Sequence, residues 1–195
     1  MIQGVILSAG KSERIGFPKA LLEIEGERFV DFIIKRMREA GIRDIIVVLG
    51  EDIDLIKRNA KLDAKVLYNR NWEEGQISSL RIAIRNMDRE KEAVIFTLVD
   101  HPLVKSSTYL KLVSIWKENK DKIVIPLYNG RKGHPTIFPR KFFNDILFKE
   151  LKNGARSIIR ENIESVRYVV VDDEGIIIDI DTISDYKRFI KREEI

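Results

Sequence analysis

The chain has 195 residues, 44% hydrophobic and 34% charged, a composition typical of one globular domain, 1–195, with a sizeable core. The absence of cysteine excludes disulfides, thiolate metal sites and a cysteine nucleophile. A net charge of +4 permits anionic ligands, but no aromatic-rich basic patch or zinc-finger spacing supports nucleic-acid binding. Without a signal-peptide pattern or an apolar run of about 18–20 residues, we expect a cytoplasmic protein that has no membrane partner.

Short apolar runs alternate with segments of helical periodicity along the chain. In chain order, strands are predicted at 5–7, 44–49, 65–68, 93–99, 123–126 and 136–138, and helices at 29–40, 53–60, 78–87, 107–118, 140–149 and 155–162. A late hairpin-like pair, 166–171 and 176–180, is predicted around Gly175, followed by a final helix over 184–192. This alternation predicts an α/β domain whose largely parallel sheet is covered by helices on both faces.

The loop after the first strand, 5–7, is rich in small and cationic residues. Gly10 and Gly16 permit backbone conformations that bring N–H groups close to an anion. The loop also carries three cations, Lys11, Arg14 and Lys19. A Walker A loop is excluded because Val5 stands at its first glycine position, and the dinucleotide fingerprint lacks a third glycine. The pattern indicates a polyphosphate site, with a solvated charge cluster as the alternative.

Asp100 directly follows the most apolar predicted strand, 93–99. Open α/β sheets bind ligands at the carboxyl ends of their strands, so this carboxylate is expected to face the cationic loop. A Mg²⁺ ion between nucleotide phosphates would suit it there. The alternative is an Asp that caps a turn or a helix, because Pro102 and Ser106 follow.

A third candidate segment has the sequence NRNWEEGQISSL and runs over 69–80. The amide of Asn69 offers a donor and an acceptor to a base edge, and the Gly75 turn is a second candidate nucleotide contact. Ser79 is included as a nucleotide-binding candidate, although a helix-capping role fits it better. A capped helix entry with Trp72 packed beneath it is the structural alternative for the whole segment.

The sequence SAGKSERIGFPKALL resembles the L-A-A-G-x-S-x-R-M-G-x-P-K-x-L-L signature of the nucleotidyltransferases that act on molybdopterin, above all the cytidylyltransferases. Two positions differ mildly, because Ser8 replaces an Ala and Ile15 replaces the Met. The matching residues are Leu7, Ala9, Gly10, Ser12, Arg14, Gly16, Pro18, Lys19, Leu21 and Leu22. The resemblance implies a single-domain, Rossmann-like nucleotidyltransferase fold with a mixed sheet.

Other segments resemble the same family as far as Tyr186. Asp100 heads its D-x-P metal motif, and His134 lies in a G-H-P element associated with the second substrate. The run DIDTISDY, which contains Asp181, resembles D-I-D-T-P-E-D-Y and implies a second metal-site residue. The N-x-x-W-x-x-G-x-x-x-S-L segment is matched as well. The G-D-x-G-A-R run is matched only at its end, which weakens any substrate role for Arg156.

The resemblance implies transfer of CMP from CTP to a phosphorylated acceptor, with Mg²⁺ as cofactor and pyrophosphate as product. Lys11 and Arg14 would bind the triphosphate, and Lys19 would stabilise charge at the α-phosphate. The loop backbone of Ser8, Ala9 and Gly10 would frame the nucleotide. The expected acceptor is molybdopterin, and a molybdoenzyme apoprotein is a candidate partner. The alternatives are a guanylyltransferase, a relative that activates another phosphorylated metabolite, and a non-catalytic module that delivers a cofactor.

Overall fold

The computed structural model describes residues 1–192. Its strands are β1 (Ile2–Ser8), β2 (Glu23–Ile24), β3 (Glu27–Arg28), β4 (Ile45–Leu49), β5 (Lys65–Tyr68), β6 (Ala93–Leu98), β7 (Ile123–Tyr128), β8 (Arg131–Lys132), β9 (Thr136–Pro139) and β10 (Val166–Val170). Its α-helices are α1 (Phe29–Glu39), α2 (Ile53–Asn59), α3 (Gln76–Asn86), α4 (Ser106–Glu118), α5 (Phe143–Phe148), α6 (Ala155–Glu161) and α7 (Ile183–Asp185). The elements predicted up to residue 170 are confirmed, with small shifts at their boundaries.

One mixed sheet organises the fold. Its order is β10-β7-β9-β6-β1-β4-β5, with β8 paired to β7, while β2 and β3 form a separate hairpin. The pairs β1–β4, β1–β6, β4–β5 and β7–β10 are parallel, and β9 is antiparallel to both of its neighbours. The predicted α/β class with a mostly parallel sheet is therefore confirmed.

The central strands are buried on both faces, as their unbroken apolar sequences require. All five residues of β4, IIVVL, are buried. One apolar cluster joins the sheet to α1 and α4, with Phe29 and Trp116 at its centre. The other joins the opposite face to α3, α5 and α6, with Leu80 and Ile158 inside it. No helix within residues 1–192 combines the length and the hydropathy that crossing a bilayer requires.

The order of the strands creates a crevice beside β1. The chain leaves β1 through α1 to reach β4 on one side, and it leaves β6 through α4 to reach β7 on the other side. The loops that follow β1 and β6 therefore diverge at the carboxyl ends of these strands, which is where open α/β sheets place their ligands.

The predicted late hairpin is wrong. The segment 166–171 supplies β10, which pairs in parallel with β7, but residues 176–180 form no strand. Their apolar side chains do enter the core, since Ile176 and Ile180 are fully buried. Their backbone bonds to loops instead of a strand: the Ile176 carbonyl accepts from His134 N–H at 2.9 Å. The final helix is the short α7, which continues as a π-helix over Tyr186–Lys191.

Candidate active site

A pocket of about 190 Å³ opens at the carboxyl ends of β1 and β6. Part of its wall is the segment over residues 8–19, called the β1 loop below, which contains the last residue of β1 and the turn that follows it. Gly50, which follows β4, packs tightly against this loop, because a Cβ on it would lie 2.2 Å from the Ala9 carbonyl oxygen. Of the predicted site residues, the pocket is lined by Ser8, Ala9, Gly10, Lys11, Lys19, Gly75, Ser79 and Asp100.

Lys19 lies between two carboxylates beside this pocket. Its Nζ is 3.2 Å from Oδ2 of Asp100 and also contacts Oδ1 of Asp181. Arg14 approaches Asp181 from the exposed side, with 2.5 Å between Nη2 and Oδ2. The side chains of Lys19, Asp100 and Asp181 are only 14%, 19% and 20% exposed, so their charges are screened less than on an open surface. Residues predicted from three separate motifs thus meet at one point.

The β1 loop presents Lys19 through local hydrogen bonds. The carbonyl of Ser12 accepts the N–H groups of Ile15 and Gly16, and its hydroxyl accepts the N–H of Lys19 at 3.1 Å. Gly16 has a φ of 68°, a conformation that strongly favours glycine. A 3₁₀ turn over Lys19–Leu21 then buries the apolar side chains that follow the loop. The loop is therefore folded back on itself, with its last cation directed at the carboxylates.

Asp100 is ionised in these surroundings. Burial favours the neutral acid, but a hydrogen bond from His101 and the charges of His101 and Lys19 outweigh burial, so the pKa of Asp100 is below its ordinary value. The Nδ1 atom of His101 lies 2.8 Å from Oδ1 of Asp100. One carboxylate oxygen therefore faces the histidine, and the other faces Lys19.

Lys11 stands at the open side of the pocket. Its side chain is 50% exposed, and its Nζ is 3.8 Å from Glu13 and 3.9 Å from Glu51. The same Nζ lies 5.9 Å from the centre of the Trp72 ring. Exposed ion pairs at such distances contribute little free energy, so this ammonium can turn toward an anion in the pocket.

The structure places the Asn69 side chain inside a turn and away from the pocket. Asn69 is fully buried, and its amide nitrogen donates to the hydroxyls of Ser78 and Ser79 at 2.8 and 2.9 Å. Its Oδ1 accepts the N–H of Asn71. Gly75, with a φ of 85°, is the N-cap of α3 and presents backbone to the pocket. Asn69 therefore shapes the wall that Gly75 and Ser79 form, and its amide is committed to the turn.

His134 lies apart from the pocket lining but close to Asp100 through His101. The two imidazole rings are 5.0 Å apart and meet edge to face. The buried Nδ1 of His134 has no hydrogen-bond partner among residues 1–192. Burial first, and the neighbouring His101 second, lower the pKa of His134 to about 3, so it is neutral at pH 7. Most buried polar side-chain atoms have a hydrogen-bond partner, so this nitrogen is an exception.

Asp181 belongs to a stretch over residues 171–186, called the C-terminal segment below. The N–H of Ile180 donates to the carbonyl of Asp100 at 2.8 Å, which ties the two carboxylate-bearing backbones together. Asp185 and Thr182 form a capping box at the start of α7. These contacts were not predicted from the sequence, although the Thr-x-x-Asp spacing indicates a helix start. Gly50 was not predicted either, and its place directly after an apolar strand was the available signal.

Residues 4–166 match the sequence-family model of the MobA-like NTP transferase domain. This chain belongs to that family. The match includes the β1 loop and Asp100 and ends at the first residue of β10. The C-terminal segment with Asp181 lies beyond it. The NTP transferase assignment thus covers the pocket and one of the two carboxylates that contact Lys19.

Two curated relatives align with this chain at similar identity but over different shares of their own length. Molybdenum cofactor cytidylyltransferase of Escherichia coli is 26% identical over 187 residues, covering 95% of this chain and 93% of that protein. The bifunctional protein GlmU of Clostridioides difficile is 27% identical over 141 residues, or 71% of this chain. The aligned region is only 30% of the length of GlmU.

Solved structures share the fold along nearly the whole chain. Rv0371c from Mycobacterium tuberculosis superposes with a TM-score of 0.86 at 27% identity, covering 97% of both chains. A complex of Rv0371c with manganese gives a TM-score of 0.81 at 23% identity, covering 98% of this chain and 99% of that one. The Rossmann-like nucleotidyltransferase fold implied by the sequence is therefore confirmed.

Proposed function

We propose that this protein transfers CMP from CTP to a phosphorylated acceptor and releases pyrophosphate. The observation that carries the proposal is the contact of Lys19 with both Asp100 and Asp181 beside the pocket of an NTP transferase fold. A cation and two carboxylates at this point suit a reaction in which charge is redistributed among phosphates. The E. coli cytidylyltransferase, which aligns over almost its full length, supports the choice of CTP.

The protein's task in such a transfer is to position and neutralise charge. An oxygen of the acceptor phosphate attacks the α-phosphorus of CTP, and the bond from that phosphorus to the bridging oxygen of pyrophosphate breaks. The acceptor phosphate is already ionised near pH 7, so no strong general base is required. Lys11 and Arg14 hold the triphosphate, and the β1 loop backbone at Ser8, Ala9 and Gly10 frames it. Lys19 stabilises the charge that develops at the α-phosphate.

The donor set fits a hard divalent cation such as Mg²⁺. Asp100 and Asp181 supply carboxylate oxygens, and both already contact one cation, the ammonium of Lys19. Within residues 1–192 no group of three or more His, Cys, Asp or Glu side chains is placed to hold a metal. Two carboxylates leave room for water and phosphate oxygens, as Mg²⁺ sites usually do. The ion would neutralise phosphate charge and polarise the α-phosphate.

The acceptor is proposed to lie on the His134 side of Asp100. The imidazole of His134 packs against that of His101, which contacts Asp100, and a movement of these two rings would let the buried Nδ1 meet a polar group of the acceptor. Molybdopterin, with its terminal phosphate, is the proposed acceptor, and a molybdoenzyme apoprotein is the proposed recipient of the product. Support comes from the E. coli relative and from the sequence signature around Ala9 and Pro18, where guanylyltransferases carry other residues.

The test is thermal unfolding with CTP, GTP, ATP or UTP in the presence of Mg²⁺, followed by assay of pyrophosphate release with molybdopterin. A nucleotide at about 100 times its Kd stabilises a protein by about 2.7 kcal/mol, which raises the Tm by about 5–10 °C for this size. CTP alone should give the shift and support turnover. A shift with GTP alone would move the assignment to guanylyl transfer. CTP binding without turnover on any phosphorylated acceptor would favour a delivery module.

A further inference from the structure

We propose that Asp185 is a positioning residue that, together with Thr182, holds the Asp181 carboxylate opposite Asp100 so that the two can share a divalent cation. This inference rests on the proposed function, because that function supplies the cation. Asp185 itself contacts neither the pocket nor Asp100. Its effect on the site is therefore exerted through the backbone that carries Asp181.

A single oxygen of Asp185 accepts three hydrogen bonds from Asp181 and Thr182. Oδ2 of Asp185 accepts the N–H of Asp181 at 3.2 Å, the N–H of Thr182 at 2.8 Å and the hydroxyl of Thr182 at 2.7 Å. In return, the Thr182 hydroxyl accepts the N–H of Asp185 at 3.1 Å. The hydrogen bonds close a ring between Asp181 and the first turn of α7. A carboxylate acceptor makes them stronger than bonds between neutral groups.

Asp181 is thereby held from both sides along the chain. On one side Ile180 is fully buried, and its N–H donates to the Asp100 carbonyl at 2.8 Å. On the other side Thr182 is tied to Asp185. The residue between these two fixed points has little freedom to turn, so its carboxylate remains directed at Lys19.

Without Asp185 the balance of charges would draw Asp181 outward. Arg14 already contacts Oδ2 of Asp181, and the Arg14 side chain is 69% exposed. Once the Asp181 and Thr182 N–H groups lose their acceptor, the backbone no longer holds the carboxylate inward, and it can turn toward solvent on the exposed side where Arg14 lies. The metal would then retain Asp100 as its fixed carboxylate ligand. Loss of a residue that orients a metal ligand typically lowers metal affinity 10–100-fold.

The test compares Mn²⁺ binding in full-length wild type and Asp185→Ala. It follows the electron paramagnetic resonance signal of free Mn²⁺ with CTP equimolar to the protein, and a protein-free titration of the same CTP is subtracted. Calorimetric titration of CTP with EDTA present measures nucleotide binding without metal. We expect Mn²⁺ affinity to fall 10–100-fold and the metal-free CTP affinity to change less than twofold. Asp185→Asn, which keeps an acceptor oxygen, should restore at least half of the lost affinity on a logarithmic scale.

Asp31→Ala is the matched control for stability. The Asp31 carboxylate also accepts two backbone N–H groups, those of Lys61 and Leu62 at 3.0 and 2.8 Å, but none of the three residues lines the pocket. We expect this variant to lose a similar amount of thermal stability and to keep the wild-type Mn²⁺ affinity.

Three results would contradict these proposals. Mn²⁺ affinity within twofold of wild type in Asp185→Ala would overturn the positioning role. An equal loss of Mn²⁺ affinity in Asp31→Ala would also overturn it, because general destabilisation would then be the cause. Should the wild type itself bind no Mn²⁺ with CTP present, the proposed function would fail, and the positioning of a metal ligand would lose its premise.

Discussion

The β1 loop and the C-terminal segment bring opposite charges to the same point, but they are held in different ways. In the β1 loop, Ser12 binds the N–H groups of residues at most seven positions away. In the C-terminal segment, Ile180 bonds to Asp100, and the Tyr186 hydroxyl donates to the Glu23 carbonyl, 163 residues away in sequence. The turn in the first region is therefore set by local contacts, whereas the position of the second region also depends on partners that are distant in sequence.

The largest expected effect comes from the residue that joins the two regions. In Lys19→Met, the proposed CMP transfer loses the cation that stabilises charge at the α-phosphate. Removal of one group of this kind typically lowers kcat about 10²–10³-fold. Steady-state assay of pyrophosphate release measures this loss. Metal affinity should not fall, since the substitution leaves both carboxylates in place and removes a competing cation.

Lys35→Met is the matched control for that substitution. The Lys35 ammonium also contacts a carboxylate, 2.5 Å from Oε1 of Glu27, but it is 50% exposed and does not line the pocket. Its loss should leave kcat unchanged within twofold. If Lys19→Met also lost less than tenfold in kcat, the role given to the lysine at the α-phosphate would be refuted.

The difference between the two regions explains what could be predicted from the sequence. The sequence around Gly16 and Lys19 predicts a cationic turn after a strand, because the hydrogen bonds that Ser12 accepts from the loop backbone are all local. The segment around Ile176 and Ile180 has an apolar sequence that is typical of a strand. It forms no strand in the fold, because its backbone bonds to residues that are distant in sequence. Those partners, the Asp100 carbonyl and the His134 N–H, cannot be identified from local periodicity.

Asn69 illustrates a second limit of the sequence. An asparagine amide can hydrogen-bond to the edge of a base or to groups within a turn. Which of the two occurs depends on whether nearby hydroxyls accept hydrogen bonds from the amide. Ser78 and Ser79 do so in the fold, across nine and ten positions. Residue type alone therefore predicted that this segment lines the pocket, but not which of its side chains faces the pocket.

Two glycines allow the two regions to be disturbed separately. A Cβ at Gly50 would lie 2.2 Å from the Ala9 carbonyl oxygen in the β1 loop, and one at Gly175 would lie 2.3 Å from the Leu103 carbonyl oxygen beneath the C-terminal segment. Gly50→Ala and Gly175→Ala should each destabilise the protein by about 1–3 kcal/mol, the usual cost of overpacking. Urea unfolding measures this cost.

The two variants should differ in ligand binding. Gly50→Ala moves the loop that frames the nucleotide, so the Kd for CTP in EDTA should rise at least fivefold. Gly175→Ala should leave that Kd unchanged and weaken Mn²⁺ binding in the presence of CTP. If both variants changed CTP binding and Mn²⁺ binding to the same extent, the two regions would be coupled, and their separate roles in ligand binding would be refuted.

The smallest expected effect is a pH-dependent change in the free energy of unfolding, caused by His134. This residue lies in the loop that bonds to Ile176 of the C-terminal segment. The pKa of His134 is about 3 in the folded protein and 6.5 in the unfolded chain, because burial opposes its charge. Between these values the unfolded chain binds more protons, so stability falls as the pH drops below 6.5.

From pH 8 to pH 5.5 the His134 side chain alone should remove about 1.4 kcal/mol of unfolding free energy. Urea unfolding of wild type and His134→Gln at both pH values measures this contribution, because groups that do not interact with His134 titrate alike in the two proteins. The wild type should lose about 1.4 kcal/mol more than the variant. Equal losses would mean that the His134 ring is solvated or paired when protonated. The bond from the His134 backbone N–H to the Ile176 carbonyl would then not hold the ring in a buried position.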